Sequence, residues 1–415
     1  MLKFIIRNFR WIAGGFLLTY FSSFGQTYFI SASASEWQAA FDLSHGEFGR
    51  LYMYATVASA LCLPIVGRVV DVMKVHRVIV LVVPVFAGAA LLAGTAPTLP
   101  LLVFAIFLLR LCGCGMMDHI SLTATARWFV TERGRAVSLV SLGHPGGEAT
   151  LPLLFAALTI TYGYSASWTV AAASLLIIGF PVAYWCFRQP RVPHGQLSPE
   201  TNALPEVRNW TRREVLRDPI FWLLLTCVLG PVFISTTIFF YQNYLTTLNG
   251  WPPHLFATSL AVLAFTSIGF ALLTGAAVDR YGAVSVLRFF LLPSGAACFA
   301  LAYSGSEIML FVVMTLLGIS TGIGSTLFGV LWPEIYGVAN LGAIRSIAEA
   351  VGVFATAAGP GLTGTLIDLG ISLPTQMIFY GGYCVLGTAA MMIVSTQLQR
   401  RHQIMSDGLP VDISI

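Results

Sequence analysis

The sequence predicts an all-α membrane protein, with twelve transmembrane helices arranged as two pseudo-symmetric six-helix bundles, on three observations. The first is composition: of 415 residues, 57% are hydrophobic and only 10% charged, where a soluble domain carries about a quarter charged residues. The second is a set of twelve mainly apolar stretches, each close to the ~20 residues a helix needs to cross the ~30 Å hydrocarbon core. The third is a repeat at an offset of 208 residues, in which Gly67, Val70 and Asp71 recur as Gly275, Val278 and Asp279, and Gly134 and Pro152 as Gly342 and Pro360. The aspartates weigh most, because the chain has only 18 acids and both follow a hydrophobic span. Two parallel copies of one membrane unit have a substrate-sized gap to place between them.

In order, the spans run at 11–32, 48–67, 78–96, 100–123, 136–160, 165–187, 219–244, 256–278, 286–304, 308–330, 342–367 and 374–396. They are called helices 1 to 12 below. Helix 1 is long enough to cross and ends at no clear small-residue cleavage site, so it reads as a span and not as a signal peptide. Lys and Arg collect in short cytoplasmic loops. With both termini inside, all but three of the 22 Lys and Arg fall on the cytoplasmic side: Arg50 lies near the opposite face, and Arg110 and Arg345 lie within spans. This topology accounts for the net charge of +4 without nucleic acid.

The longest polar interval, 188–218, holds Pro190, Pro193, Pro199 and Pro205 with charges of both signs. It reads as a cytoplasmic linker between an N-terminal bundle (1–187) and a C-terminal bundle with a short tail (219–415), with a short amphipathic helix over Thr211 to Arg217. The seven cysteines fall within or at the ends of spans and read as packing residues; Cys112-Gly113-Cys114 lacks metal-site spacing.

Residues after helix 2, Gly67-Arg68-Val69-Val70-Asp71 with Lys74 and Arg77, resemble the loop signature of the major facilitator superfamily. Its second copy, Gly275-Ala276-Ala277-Val278-Asp279-Arg280-Tyr281-Gly282, is nearer the pattern; the first has Val72, Met73 and Lys74 where a basic residue, an aromatic and Gly are usual. Arg110-Leu111-Cys112-Gly113-Cys114-Gly115 in helix 4 resembles the family's second signature. The resemblance implies that Asp71 faces the start of helix 11 near Gly342 to Arg345, and Asp279 the start of helix 5 near Gly134. A helix N-terminus carries about half a positive charge that favours a carboxylate there. Such contacts would form a cytoplasmic gate that includes Gly67, Asp71, Arg77, Gly275, Asp279, Arg280, Arg345 and Glu349; the alternative is that both aspartates only tighten a turn. Gly359-Pro360-Gly361-Leu362-Thr363-Gly364 in helix 11 resembles a signature that the drug-antiporter branch carries in helix 5, where this chain has Gly143-His144-Pro145-Gly146-Gly147-Glu148. That departure speaks against a drug/proton antiporter.

Charges inside spans are the sharpest functional signal, because an ionised group at the bilayer centre costs at least ~2.5–3.5 kcal/mol. Arg110 and Glu148 lie ten and twelve residues into their spans, which at 1.5 Å per residue places both at a depth of ~15–18 Å. They read either as a permanent ion pair or as a switch that a substrate carboxylate or a proton on Glu148 releases. Asp118 and His119, nearer the cytoplasm, are either a proton relay or end-of-helix hydrogen-bonding groups. His144, one turn before Glu148, is a candidate partner for it, and Arg345 with Glu349 reads as an intrahelical pair or as part of the gate.

Helix 1 repeats Tyr20, Ser23 and Thr27 at helical spacing, with Ser22 and Gln26 as a neighbouring stripe. In the resembled family helices 1, 4, 7 and 10 line the cavity, which makes this face a candidate substrate wall. Tyr241, Gln242 and Asn243 in helix 7 and Ser320, Thr321, Ser325 and Thr326 in helix 10 are further candidates.

There is no glycine-rich phosphate loop followed by Lys-Ser or Lys-Thr, no nucleophile–base set and no zinc-ligand spacing. No cofactor, metal or enzymatic activity is therefore expected. The expected partners are a small-molecule substrate, protons and the lipid bilayer, with no nucleic acid, and the chain is expected to be monomeric. The resemblance implies a secondary active transporter working by alternating access. Arg127-Trp128-Phe129, Arg133-Gly134-Arg135 and Trp332-Pro333-Glu334-Ile335-Tyr336-Gly337 are similar to the monocarboxylate and oxalate/formate branch, which implies proton-coupled transport of a small organic anion. The membrane portion of helix 8 has no Arg or Asp and helix 1 no Lys, which leaves Arg110 as the midplane cation for a carboxylate. A proton-coupled exporter of amphiphilic or cationic compounds and a non-transporting membrane sensor are the competing classes. Short loops and no exposed cysteine suit a bacterial inner membrane.

Overall fold

The computed structural model describes residues 2–67, 69–129, 133–189, 210–337 and 341–406. These residues are almost wholly helical and contain no strand. Nine helices among them are long and apolar enough to cross a membrane, from His45–Val66 to Leu373–Arg401. Helices 1, 5 and 11 carry the remaining expected spans. Helix 1 is Leu2–Phe21, helix 5 is Gly143–Tyr162 and helix 11 is Leu341–Asp368. The first two are not continuous apolar cylinders, and there the structure departs from the expected spans.

Helix 1 was expected as one helix over 11–32. It ends at Phe21, passes through a 3-10 turn (Ser22–Gly25) and an extended Gln26, and resumes as a turn (Thr27–Ile30), a 3-10 turn (Ser31–Ser33) and a short helix (Ala34–Phe41). Serine hydroxyls compete for backbone groups and glycine is a poor helix former, and the break falls on Ser22-Ser23-Phe24-Gly25. Helix 5, expected over 136–160, is split at Leu142 between Arg133–Ser141 and Gly143–Tyr162. Helix 7 stops at Phe240 and restarts at Gln242–Asn249. Helix 12 runs on to Ser406, past the expected 396, because its polar end contains no helix breaker.

Helix 4 spans Leu99–Trp128 as α-helix, then an eight-residue π-helical stretch (Arg110–Met117), then α-helix again. Helix 10 is one uninterrupted α-helix, Glu307–Tyr336. Large apolar side chains such as Leu61, Ile65, Phe265, Leu272, Phe379 and Leu386 are more than half exposed. That is a liability in water and a match for lipid.

By contact the chain forms two compact units: residues 1–201 with 238–261 and 360–369, and residues 202–237 with 262–359 and 370–415. The first unit thus takes in the distal ends of helices 7 and 11, where "distal" means the end at which helix 1 finishes. Hydrogen bonds account for this. Gln242 Nε2 donates to the Tyr28 carbonyl and the Ser31 hydroxyl at 2.8 Å, Ser31 Oγ donates to the Phe239 carbonyl at 2.7 Å, and Asn243 Nδ2 donates to the Ser31 and Ala32 carbonyls at 3.2 Å and to Ser35 Oγ at 3.1 Å. The Ser31–Phe239 and Ser35–Asn243 bonds each join residues 208 apart, the repeat offset. Equivalent residues of a two-fold-related pair touch only where the pair crosses its axis. The Asp368 carboxylate accepts from Ser44 Oγ at 2.7 Å and Gly46 N at 3.0 Å at the start of helix 2.

In the second unit, Arg212–Arg217 is a helix with a Thr211/Glu214 capping box, so the expected amphipathic helix forms. It is tied down beside Asp218, which accepts from Arg401 Nη1 at 3.0 Å and from the Tyr336 hydroxyl at 3.2 Å. Trp210 packs edge-on against Tyr336 at 5.5 Å, and its backbone N–H donates to the Tyr336 carbonyl at 3.0 Å.

Candidate functional site

The candidate site lies in the first unit, around the break in helix 1. A broken helix frees backbone carbonyls, and within a membrane each must find a donor in the protein. The Gly25 carbonyl finds Arg110: its Nη1 donates at 3.0 Å, and the residue is only 6% exposed. The guanidinium also lies 5.9 Å from the Tyr52 ring centre, and the Tyr52 hydroxyl shares a 2.7 Å hydrogen bond with Thr27 on the far side of the break. Arg110 opens the π-helical stretch, a deviation frequent at functional sites. Helix 4 comes so close here that a Cβ on Gly113 would lie 2.7 Å from Gly25 Cα and from Phe86 Cζ. Only glycine permits that approach.

Helix 5 brings in the acid. Side chains at Gly143 and Gly147 would collide with Thr19 and Ser23 of helix 1, and Tyr20 Oη bonds Thr150 Oγ1 at 2.8 Å. Glu148, next to Gly147, is 7% exposed and makes no hydrogen bond or ion pair with another described residue. Among the described residues the ion pair present is Arg401–Asp218. Arg110 and Glu148 are both buried in this region without pairing with each other.

The hydroxyl of Tyr28, just beyond the break, is buried without a partner and lies within electrostatic reach of both Glu148 and Asp118. Ser23 Oγ, Arg110 Nε and Asp118 Oδ1 are likewise buried with unmet hydrogen-bonding capacity, and Asp118 acts on Arg110 electrostatically. Unmet buried polar atoms are rare in folded proteins and mark sites where a ligand, an ion or water completes the bonding. Aromatic residues fix the irregular segment: Phe29 packs on Phe155 at 4.6 Å and on Trp168 at 5.4 Å, and Trp168 Nε1 donates to Ser33 Oγ at 3.0 Å.

The structure brings Ser23, Arg110, Asp118 and Glu148 into this region, and separates others that the spacing grouped. Tyr20 and Thr27 flank the break with hydroxyls already partnered, and Gln26 is its extended, half-buried residue. The stripe Tyr20–Ser23–Thr27 assumed unbroken helix, and the break removes that shared face. His144 is half-buried and makes no hydrogen bond to Glu148. His119 lies against Gly67 at the end of helix 2, 3.4 Å from where a Cβ there would stand. Gln242 and Asn243 spend their amides on helix 1 carbonyls, as described above, while Ser320 bonds Ser294 at 2.7 Å. At the gate signatures, Arg77 and Arg280 are exposed, Arg280 stacks 5.3 Å from the Tyr281 ring centre, and Gly275 has only Thr326 Cγ2 near its open side, at 3.9 Å. The side chains of Asp71, Asp279, Arg345 and Glu349 lie outside the described set.

Spacing did not point to Gly25, Tyr28 and Tyr52. A Ser-Ser-x-Gly run inside an apolar span was the available sign, since that composition marks turns. The seven cysteines are free, five of them buried, as packing residues are.

Three comparisons bear on identity. The profile of the Major Facilitator Superfamily matches residues 16–270, more than half of the chain. Monocarboxylate transporter 9 of Mus musculus is 26% identical over 160 residues, covering 39% of this chain and 32% of that protein. This chain therefore matches about a third of the relative's length. Among solved structures, a bacterial homolog of the human lysosomal transporter Spinster, inward-facing and occupied, superposes with a TM-score of 0.70 at 16% identity over 93% of this chain and 96% of that one. The nucleoside transporter NupG superposes with a TM-score of 0.66 at 14% identity over 93% and 98%. These structural likenesses establish the fold, and together with the helices described above the profile match places the chain as a multi-pass integral membrane protein belonging to the Major Facilitator Superfamily.

Proposed function

We propose that the chain is a secondary active transporter of a small, monocarboxylate-like organic anion, driven by protons through alternating access. The observation that carries this reading is the separation of Arg110 from Glu148. An isolated carboxylate in a low-dielectric interior takes up a proton rather than stay charged. Arg110 keeps its charge at any physiological pH, and its unmet Nε–H remains for an acceptor. The pair thus offers a cation for a substrate carboxylate and a separate acid for a proton. The partial likeness to Monocarboxylate transporter 9 supports the substrate class.

In this reading the N-terminal (1–187) and C-terminal (219–415) bundles rock about the 188–218 linker, with Gly67, Asp71, Arg77, Gly275, Asp279, Arg280, Arg345 and Glu349 forming the cytoplasmic gate. Asp118, His119 and His144 are relay candidates, and Tyr20, Ser23, Gln26 and Thr27 wall the substrate path. The distribution of Lys and Arg supports cytoplasmic termini, the short loops suit a bacterial inner membrane, and the protein is read as a monomer.

The test is thermal stabilisation of the purified protein by a panel of small carboxylates, since a bound ligand raises apparent stability by RT ln(1 + [L]/Kd). Stabilisation that disappears in Arg110→Gln is expected. In vesicles, Glu148→Gln should lose response to an imposed pH gradient while retaining counterflow. Full proton-driven transport by both variants would sink the reading. A second reading, export of a cationic compound, draws on the acid excess at the site, where two acids, buried Glu148 and half-buried Asp118, are set against one buried arginine. Stabilisation by lipophilic cations that survives in Arg110→Gln would favour it.

A further inference from the structure

At the end of the first unit where helix 1 begins, helix 3 (Val75–Thr95) starts and helix 6 finishes. Helix 6 runs as Tyr164–Ser174, a π turn at Leu175–Gly179, and Phe180–Phe187. The two helices pack side by side, and the His76 ring meets the Tyr184 ring edge-on at 5.9 Å. Lys74 and Arg77 flank His76, and Arg188 lies one turn beyond Tyr184 in helical conformation, so this ring contact gathers three cations at one place. All three are exposed, and none makes a hydrogen bond or an ion pair; each acts electrostatically on His76. Arg10 nearby is committed: it donates to the Trp185 and Cys186 carbonyls and to Gln189 Oε1, and its guanidinium lies 4.6 Å from the Trp185 ring centre. The acids of this unit whose side chains are described lie elsewhere, Glu36, Asp42, Glu47 and Asp368 at the distal end and Asp118 and Glu148 around the break in helix 1.

Beyond the cations the same helix faces turn apolar. From Arg77 onward helix 3 exposes Val80, Leu81 and Val85, and back from Arg188 helix 6 exposes Trp185, Val182 and Ile178. Steps of three and four residues keep each set on one face, with the half-buried His76 and Tyr184 between them. Such faces stand in lipid, so the cations at their end stand level with the phosphates of the bilayer surface, and Trp185 stands at the boundary where such rings collect.

We propose that this groove binds an anionic phospholipid, with Lys74, Arg77 and Arg188 holding the headgroup phosphate and an acyl chain lying along the apolar faces of helices 3 and 6. The inference goes beyond the transport reading and does not depend on it. Phosphate oxygens accept charge-assisted hydrogen bonds from guanidinium and ammonium groups. A zwitterionic lipid brings an ammonium of its own, which three uncompensated cations repel, whereas an anionic lipid brings none. The selectivity is therefore for net negative charge in the headgroup.

The test is competition between phosphatidylglycerol and phosphatidylcholine for the full-length protein in mixed micelles, read by native mass spectrometry. Each basic residue near an anionic surface is worth about a fivefold in binding, so Lys74→Gln/Arg188→Gln should lower the preference for phosphatidylglycerol about 25-fold. Arg77, which the gate reading also uses, is left intact. Arg212→Gln/Arg213→Gln removes two cations from the linker helix and should leave the preference as in the wild type. In the wild-type protein, phosphatidylglycerol with a photoreactive diazirine in its acyl chain should label helix 3 between Val80 and Val85 and helix 6 between Ile178 and Trp185. Full preference in the Lys74/Arg188 variant, an equal loss in the linker variant, or labelling that avoids both helices overturns the proposal. Displacement of the lipid by equimolar inorganic phosphate overturns it too, since the ligand would then be the free anion.

Discussion

Helices 4 and 10 occupy the same place in the two repeats: Leu99–Trp128 and Glu307–Tyr336 have the same length and differ by the 208-residue offset at both ends. Their interiors differ. Helix 4 carries Arg110, Asp118 and His119 and is π-helical over Arg110–Met117, whereas the equivalent positions in helix 10 are Gly318, Thr326 and Leu327 in unbroken α-helix. Helix 4 meets a broken helix 1, and helix 10 packs on a continuous helix 8, with Gly318 against Leu263 and Thr266. Buried charge and irregular backbone thus occur together in one unit and are both lacking at the equivalent places in the other. The association is physical: an arginine inside a membrane needs acceptors, a broken helix supplies spare carbonyls, and each group offsets the other's desolvation.

Four substitutions would break or sharpen this contrast. The largest effect on stability is expected at the end of helix 10, where Tyr336 and Arg401 share Asp218, whose side chain is fully buried. Removing one partner of a buried ion pair costs about 3–5 kcal/mol, so Asp218→Ala should lower the melting temperature markedly while the protein that remains folded transports normally. Loss of transport per folded molecule would mean that the charge at the end of helix 10 is functional after all. A matched pair comes next. A Cβ at Gly113 would stand 2.7 Å from Gly25 Cα, and one at Gly318 2.7 Å from the Leu263 carbonyl oxygen. Gly113→Ala and Gly318→Ala should each cost about 1–3 kcal/mol by overpacking, measured by thermal unfolding. Only Gly113→Ala, which pushes on the break, should also abolish carboxylate-induced stabilisation; equal functional effects would erase the contrast. The smallest effect is Ser320→Ala, which removes the 2.7 Å bond to Ser294 and should cost about 1 kcal/mol with transport unchanged.

The two helices also show what the amino-acid sequence makes legible. Both spans, expected over 100–123 and 308–330, are present, because apolar length alone dictates a membrane helix. The cost of an ionised group in lipid pointed to Arg110 and Glu148, and both are buried around helix 1. Their lack of contact was not legible, since depth along a helix says nothing about the direction each side chain faces. The break in helix 1 was missed for a related reason. Hydropathy averages over Ser22 to Gln26, and the break is stabilised by partners distant in sequence: Arg110 on the Gly25 carbonyl and Gln242 on that of Tyr28. Some starts were readable from local chemistry, because Ser44 with Glu47 and Thr211 with Glu214 have capping-box spacing and form such boxes.

The bond between Ser31 and Phe239 has a bearing on ancestry. If the two halves descend from one six-helix unit that once paired with a second copy, the ancestral dimer was isologous, and the ancestor of this position touched its own counterpart. Here one partner is a side-chain hydroxyl and the other a main-chain carbonyl. A main-chain acceptor is present whatever the residue type, so after duplication one copy was free to become phenylalanine without losing the seam. Divergence at such a point needs only one copy to keep its hydroxyl, which allows an asymmetric pair to inherit a symmetric joint.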